Sequence, residues 1–120
     1  MELKIEEKRL ANISSNQIRE ILSDRDPELV ERFIQYNRSN KDILDLFIKN
    51  SLTMYHVGYK NYSAKAIAEK IRWDKDLSRA FSKDPGAEFK LNNNYTACYA
   101  RVVMAKVPQL EGFFNLRKKG

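Results

Sequence analysis

The stretch FKLNNNYTACYARVVMAKVP, residues 89–108, holds the side chains whose types and spacing bear most directly on chemistry. Asn92, Asn93 and Asn94 stand in a row ahead of a segment with helical periodicity. The first turn of a helix leaves backbone N–H groups without intrahelical partners, and a single asparagine oxygen can accept from one of them. Asn93, or Asn92 beside it, is enough for that cap. The other two amides are then free to hold a phosphate at the positive helix end, or to pair with the edge of an adenine in the major groove. Asparagine also tolerates left-handed backbone angles and so builds tight turns, which leaves the ligand reading and the turn reading side by side at this point.

Other reactive types are sparse. His56 and Cys98 are the chain's single histidine and single cysteine, too few for a zinc site built from these types. Cys98 falls on the helix side shared by Tyr95 and Val102, the placement of a buried structural thiol, and His56 beside Tyr55 near a helix end reads as structural too. No glycine-rich phosphate loop or nucleophile elbow occurs. Asp74 and Asp76 are close in sequence, but with 16 acidic residues in the chain such pairs are common and nothing marks this one as a general acid and base. The expectation is a binding protein, not an enzyme, with no metal or cofactor.

Charge narrows the partner class. The chain of 120 residues carries a net charge of +6, with 42% hydrophobic and 11% aromatic residues, values of a globular domain. Residues 1–50 hold 9 Lys and Arg against 10 Asp and Glu, one net negative charge, whereas residues 51–120 hold 13 against 6, seven net positive. A basic C-terminal half suits a phosphate-rich partner, although the same excess can serve solubility. A lone cysteine and the charged opening MELKIEEKRL point to an intracellular, cytoplasmic protein, and no run of apolar residues is long enough for a membrane span.

The elements that must position these residues are mostly helical. Ser14 or Ser15 can cap a helix bearing Ile18, Ile21 and Leu22. Asp26-Pro27 opens a second helix, with Val30, Phe33 and Ile34 as its stripe. NRSN, residues 37–40, interrupts it, and Ser39 with Asp42 resembles the opening of a third helix carrying Ile43, Leu44, Phe47 and Ile48 and stopping at Gly58. Ser63 caps a helix with Ala64, Ile67 and Ile71 on one face. On another face Lys65, Glu69, Arg72 and Asp76 alternate in sign, the pattern of a solvated surface. Asp84-Pro85-Gly86 reads as a turn, Glu88 to Leu91 as a short strand, and Asn94 to Val107 as the last helix, ended by Pro108. Gly112 then leads into FFNLR as a closing strand. Tyr95, Cys98, Tyr99, Val102 and Val103 form the apolar side of that last helix, and Thr96, Ala97, Ala100, Arg101 and Met104 a small, nearly uncharged far side. Such a side suits either close approach to a groove or packing against protein. Trp73 and Tyr99, as large aromatics, are expected to be at least partly buried and structural.

Tyr62-Ser63, Ile71-Arg72-Trp73, Phe89 to Asn94, Tyr99-Ala100-Arg101, Pro108, and Gly112-Phe113-Phe114 through Arg117 together resemble a small uncharacterised family of bacteria and prophages. The resemblance covers about residues 58–118 and implies a phage or mobile-element setting without an established activity. Its helix, strand, helix, strand order looks like a winged helix, with a longer link between the helices than the three or four residues of a simple helix-turn-helix. The expected organisation is a single mainly α domain with minor β content, residues 1–57 helical and residues 58–120 a basic winged-helix-like module. Two functions follow. In the first, the chain binds double-stranded DNA as a regulator, with Asn93, Asn94, Thr96 and Arg101 toward the duplex and Lys90, Arg117, Lys118 and Lys119 on phosphates. In the second, it is a small inhibitor or accessory protein that engages a host or defence protein complex.

Overall fold

The computed structural model describes residues 12–82 and 91–115. The helices of the described residues are α1 (Ser15–Ile21), α2 (Pro27–Ser39), α3 (Lys41–Val57), α4 (Ala64–Ser82) and α5 (Asn93–Lys106), followed by a 3-10 turn at Pro108–Leu110. Local chemistry sets most of the ends. Ser14 and Gln17 form a reciprocal box at α1: the Gln17 N–H donates to Ser14 Oγ at 3.1 Å and the Ser14 N–H to Gln17 Oε1 at 2.9 Å. The Ala66 N–H donates to Ser63 Oγ at 3.1 Å ahead of α4. Gly58 ends α3 with φ +122°, a region that a residue with a Cβ rarely enters. Pro27 sits in the first turn of α2, where its missing N–H costs nothing, but Asp26 makes no side-chain cap.

The junction of α2 and α3 differs from the sequence expectation. NRSN does not break the helix early, since α2 runs through Ser39, and Asn40 alone makes the corner. Its side-chain amide donates back to the Tyr36 carbonyl at 2.9 Å, closing the last turn of α2 so that no cap from Ser39 is used.

α5 is the axis of the fold: α1, α2, α3, α4 and the 3-10 turn all pack against it. Thr96, Cys98, Tyr99, Ala100, Val102 and Val103 are all buried, and at about 100° per residue they wrap roughly 200° of the helix, twice the width of a one-sided stripe. Tyr99 is its keystone. The ring is fully buried, edge-on to Phe33 at 4.8 Å and stacked on Phe47 at 5.3 Å, and its hydroxyl meets Asn37 Oδ1 at 3.2 Å. The stripes of α2, α3 and α4 expected from the sequence, including Phe33, Ile34, Ile43, Leu44, Phe47, Ile48, Ile67 and Ile71, close around it.

The winged-helix strands are not found among the described residues. Among the described residues, extended pairing is limited to one parallel bridge between Tyr62 and Phe114, with the Tyr62 N–H donating to the Phe113 carbonyl at 3.0 Å. The reason lies in FFNLR itself. Phe113 and Phe114 are both buried, and a strand sends adjacent side chains to opposite faces, so a strand here would expose one of them. The chain instead turns at Gly112, φ +71°, and tucks both rings under the α3–α5 corner. The expected Asp84-Pro85-Gly86 turn, the strand residues Glu88 to Lys90, and Leu116 with Arg117 lie outside the described residues, as does the N-terminal segment 1–11.

Trp73 is a second correction. It is 64% exposed, because it lies on the side of α4 opposite Ile67 and Ile71. Among the described residues no helix is long and apolar enough to cross a membrane.

Candidate nucleic-acid interface

The row of asparagines divides by role. Asn92 is the N-cap of α5: its Oδ1 accepts from the Asn94 N–H at 2.7 Å, and its carbonyl accepts from the N–H groups of Tyr95 and Thr96, both at 3.0 Å. One residue therefore caps the helix, as expected, and it is the first of the three. Asn93 and Asn94 are exposed, and their side-chain amides make no hydrogen bond among the described residues.

Those two amides line an open cleft of about 710 Å³ between the start of α5 and one face of α4, together with Lys65, Glu69, Arg72, Leu91 and Asn92. Lys65 and Arg72 are seven residues apart on α4, two helical turns, and so point the same way. Arg72 reaches across the cleft floor. Its Nη2 donates to the Leu91 carbonyl at 3.4 Å while Nη1 lies 3.5 Å from the Glu69 carboxylate. Leu91 is buried and anchors the approach to α5, so the Arg72 contact also fixes where the helix begins. Lys65 is exposed and forms no ion pair among the described residues. The cleft thus combines two cations, one acid, two unbonded amides and the positive end of a 14-residue helix. Such a surface attracts an anion, and Glu69 opposes it.

The other expected site residues are placed less favourably. Thr96 is buried, its hydroxyl 3.4 Å from the Asn92 carbonyl, and points into the protein instead of toward a duplex. Ala100 is fully buried and Met104 half-buried, so the small far side read from the sequence is largely a packing surface. What remains open on α5 is a narrow strip of Asn94, Ala97, Ala105 and half-buried Arg101. Lys90, Arg117, Lys118 and Lys119 lie outside the described residues. Lys65 and Arg72 were not singled out as ligand-facing from the sequence, where their alternation with Glu69 and Asp76 marked a solvated face. The signal that would have found them is the same-face spacing of the two cations.

Cys98 and His56 do not make a reactive pair of the usual kind. Cys98 is 2% exposed and its burial pushes the thiol up to about 11, away from the thiolate, with Arg25 nearby as the smaller, opposing influence. His56 stands exposed in the last turn of α3 with its ring 5.7 Å from that of Tyr55. Among the described residues no group of three or more histidine, cysteine, aspartate or glutamate side chains could hold a metal ion. No family model, curated protein or solved structure matches the chain.

Proposed function

We propose that this chain binds double-stranded DNA through its phosphate backbone, with the cleft at the start of α5 as the contact made by the described residues. The observation that carries this reading is the pair Asn93 and Asn94, spared from capping and facing a cleft with Lys65 and Arg72. Helix N-termini, asparagine amides, lysines and arginines are the groups that contact phosphate oxygens in protein–DNA complexes. The basic C-terminal half adds the long-range attraction. Lys90, Arg117, Lys118 and Lys119 remain proposed phosphate contacts on sequence grounds, and Asn94, in the first turn of α5, is the residue closest in type to a base reader, while Arg101 lies two turns further along.

The mode differs from that of a recognition helix. α5 is enclosed by the other helices and cannot lie along a major groove, so only its first turn meets the duplex. Binding carried by phosphates varies little with sequence and falls steeply with salt, since each neutralised phosphate releases counterions.

A fluorescence-anisotropy titration with random and genomic duplexes at two salt concentrations tests it. Lys65→Ala and Arg72→Ala should each weaken binding to all duplexes alike and lower the salt slope by about one per contact removed. Because Arg72 also holds Leu91, its variant is compared with Arg72→Lys, which keeps the charge. No retained DNA at low salt and micromolar protein would overturn the proposal and favour a host or defence protein complex as the partner.

A further inference from the structure

From the last turn of α3 to the start of α4 the chain presents aromatic rings in succession. Tyr55, His56 and Tyr59 are exposed and Tyr62 is half-buried. Their rings form one connected row: His56 to Tyr55 at 5.7 Å, Tyr55 to Phe113 at 6.4 Å, Phe113 to Tyr62 at 6.5 Å and Tyr62 to Tyr59 at 5.2 Å, with Phe113 the buried member. Isolated exposed apolar residues need no explanation, but rings in contact along a surface mark a binding site. The loop that carries them is pinned at both ends. Beyond Gly58 the Tyr59 N–H donates to the Met54 carbonyl at 3.1 Å, the Tyr62 N–H donates to the Phe113 carbonyl at 3.0 Å, and Asn61 Nδ2 donates to the Gly112 carbonyl at 3.1 Å. Rings held in this way lose little freedom when a ligand arrives.

We infer that this row is a stacking platform for the unpaired bases of single-stranded DNA, with Lys60 on its phosphates. Charge selects a nucleic acid. Between Asp45 and Glu69 the chain has no acidic residue, although it holds 16 in all, and Lys60 in the middle of the row is exposed and forms no ion pair among the described residues. Glu111, exposed beside Gly112, is the acid that the fold brings toward this loop. The rings select a single strand, because a duplex hides its base faces in the stack, whereas every unpaired base offers a π-face to an aromatic side chain. The choice of DNA over RNA rests on the proposed function; the platform itself uses none of the cleft's residues.

Fluorescence anisotropy on the full chain at low salt compares three labelled strands of about 16 nucleotides, within the range of single-strand site sizes: oligo-dT, an abasic DNA strand with the same phosphates, and oligo-U. The inference predicts that oligo-dT binds at least about fivefold more tightly than the abasic strand, the factor that stacking one base adds at the low end of its range. Tyr59→Ala should weaken oligo-dT by a similar factor, Tyr59→Phe should retain its affinity, and both should bind a duplex as the parent chain does. Lys65→Ala should weaken the duplex and leave the preference for oligo-dT over the abasic strand intact, which separates a failure of the platform from a failure of the cleft. Equal binding of oligo-dT and the abasic strand by the parent chain overturns the inference without any variant. So does an undiminished preference in Tyr55→Ala/Tyr59→Ala shown by circular dichroism to be folded, and tighter binding of oligo-U than of oligo-dT overturns the choice of DNA.

Discussion

α5 and the outer half of α4 are built from similar material and have opposite fates. Both carry aromatic and aliphatic residues at helical spacing, yet Tyr99 on α5 is fully buried and Phe81 on α4 is 83% exposed. The difference is one of neighbours. α5 receives α1, α2, α3, α4 and the 3-10 turn around its girth, whereas among the described elements α4 rests mainly on α3 and α5, along the face of Ile67 and Ile71. Small residues on α5 are therefore packing devices, and large residues on the outer α4 are surface features. Composition along a helix does not tell these cases apart; the number of elements converging on it does.

The largest contrast should appear on truncating the aromatic of each helix. Tyr99→Ala removes a ring held by Phe33 and Phe47 and should cost about 4 kcal/mol, as large core truncations do, lowering the melting temperature by on the order of 15 °C. A loss below about 1 kcal/mol would mean that α5 is not the enclosed axis described. Ala100→Leu inserts bulk where the alanine is 0% exposed and should cost about 1–3 kcal/mol by overpacking, read by urea denaturation. If Ala100 faced a groove open to a ligand, the same change would leave stability untouched.

The sequence made α5 hard to read for a related reason. Its capping end, its stop before Pro108 and the stripes of the surrounding helices were all legible, because those signals are local: Ser14, Ser63 and Gly58 act within a few residues of themselves. Which sides of α5 are covered depends on segments up to 62 residues away, such as Asn37 at the Tyr99 hydroxyl. FFNLR read as a strand because phenylalanine favours sheets, and only the tertiary pocket shows both rings inside. Trp73 was expected to be at least partly buried on the general tendency of aromatics to bury, but its helical position turns it away from the face of Ile67 and Ile71 that meets the core. The asparagine row was recognised, but its division into one cap and two spare amides, and the arrival of Lys65 and Arg72 from another helix, required the fold.

That division is testable at smaller magnitude. Asn92→Ala should cost about 1 kcal/mol through loss of the cap, and Asn93→Ala and Asn94→Ala much less, measured in parallel melts. Equal losses at all three positions would mean that the cap is shared. Cys98 gives a pH signature of the enclosed helix. Its folded-state pKa is raised from 9.0 to about 11, so the folded protein keeps the proton after the unfolded chain has released it. The thiol's contribution is complete below pH 9 and is lost as pH rises toward 11; Cys98→Ser should flatten the stability profile over that window. A thiol reagent at pH 8 should label Cys98 only in denaturant. At the lower extreme of the comparison, Trp73→Ala in dilute protein should change stability by no more than about 0.5 kcal/mol, the ordinary range for a surface site.

The most direct measurement for the cleft is the DNA affinity of Glu69→Gln at low salt. Glu69 is exposed, lines the cleft, and lies 3.5 Å from Arg72 by an ion pair of the kind that adds little stability at a surface. Removing its charge leaves Lys65 and Arg72 unopposed, so if a phosphate sits there the variant should bind duplex DNA several-fold more tightly than the parent chain, with a melting temperature close to it. Unchanged or weaker binding by the folded variant would contradict the account and place the phosphate contacts elsewhere on the chain.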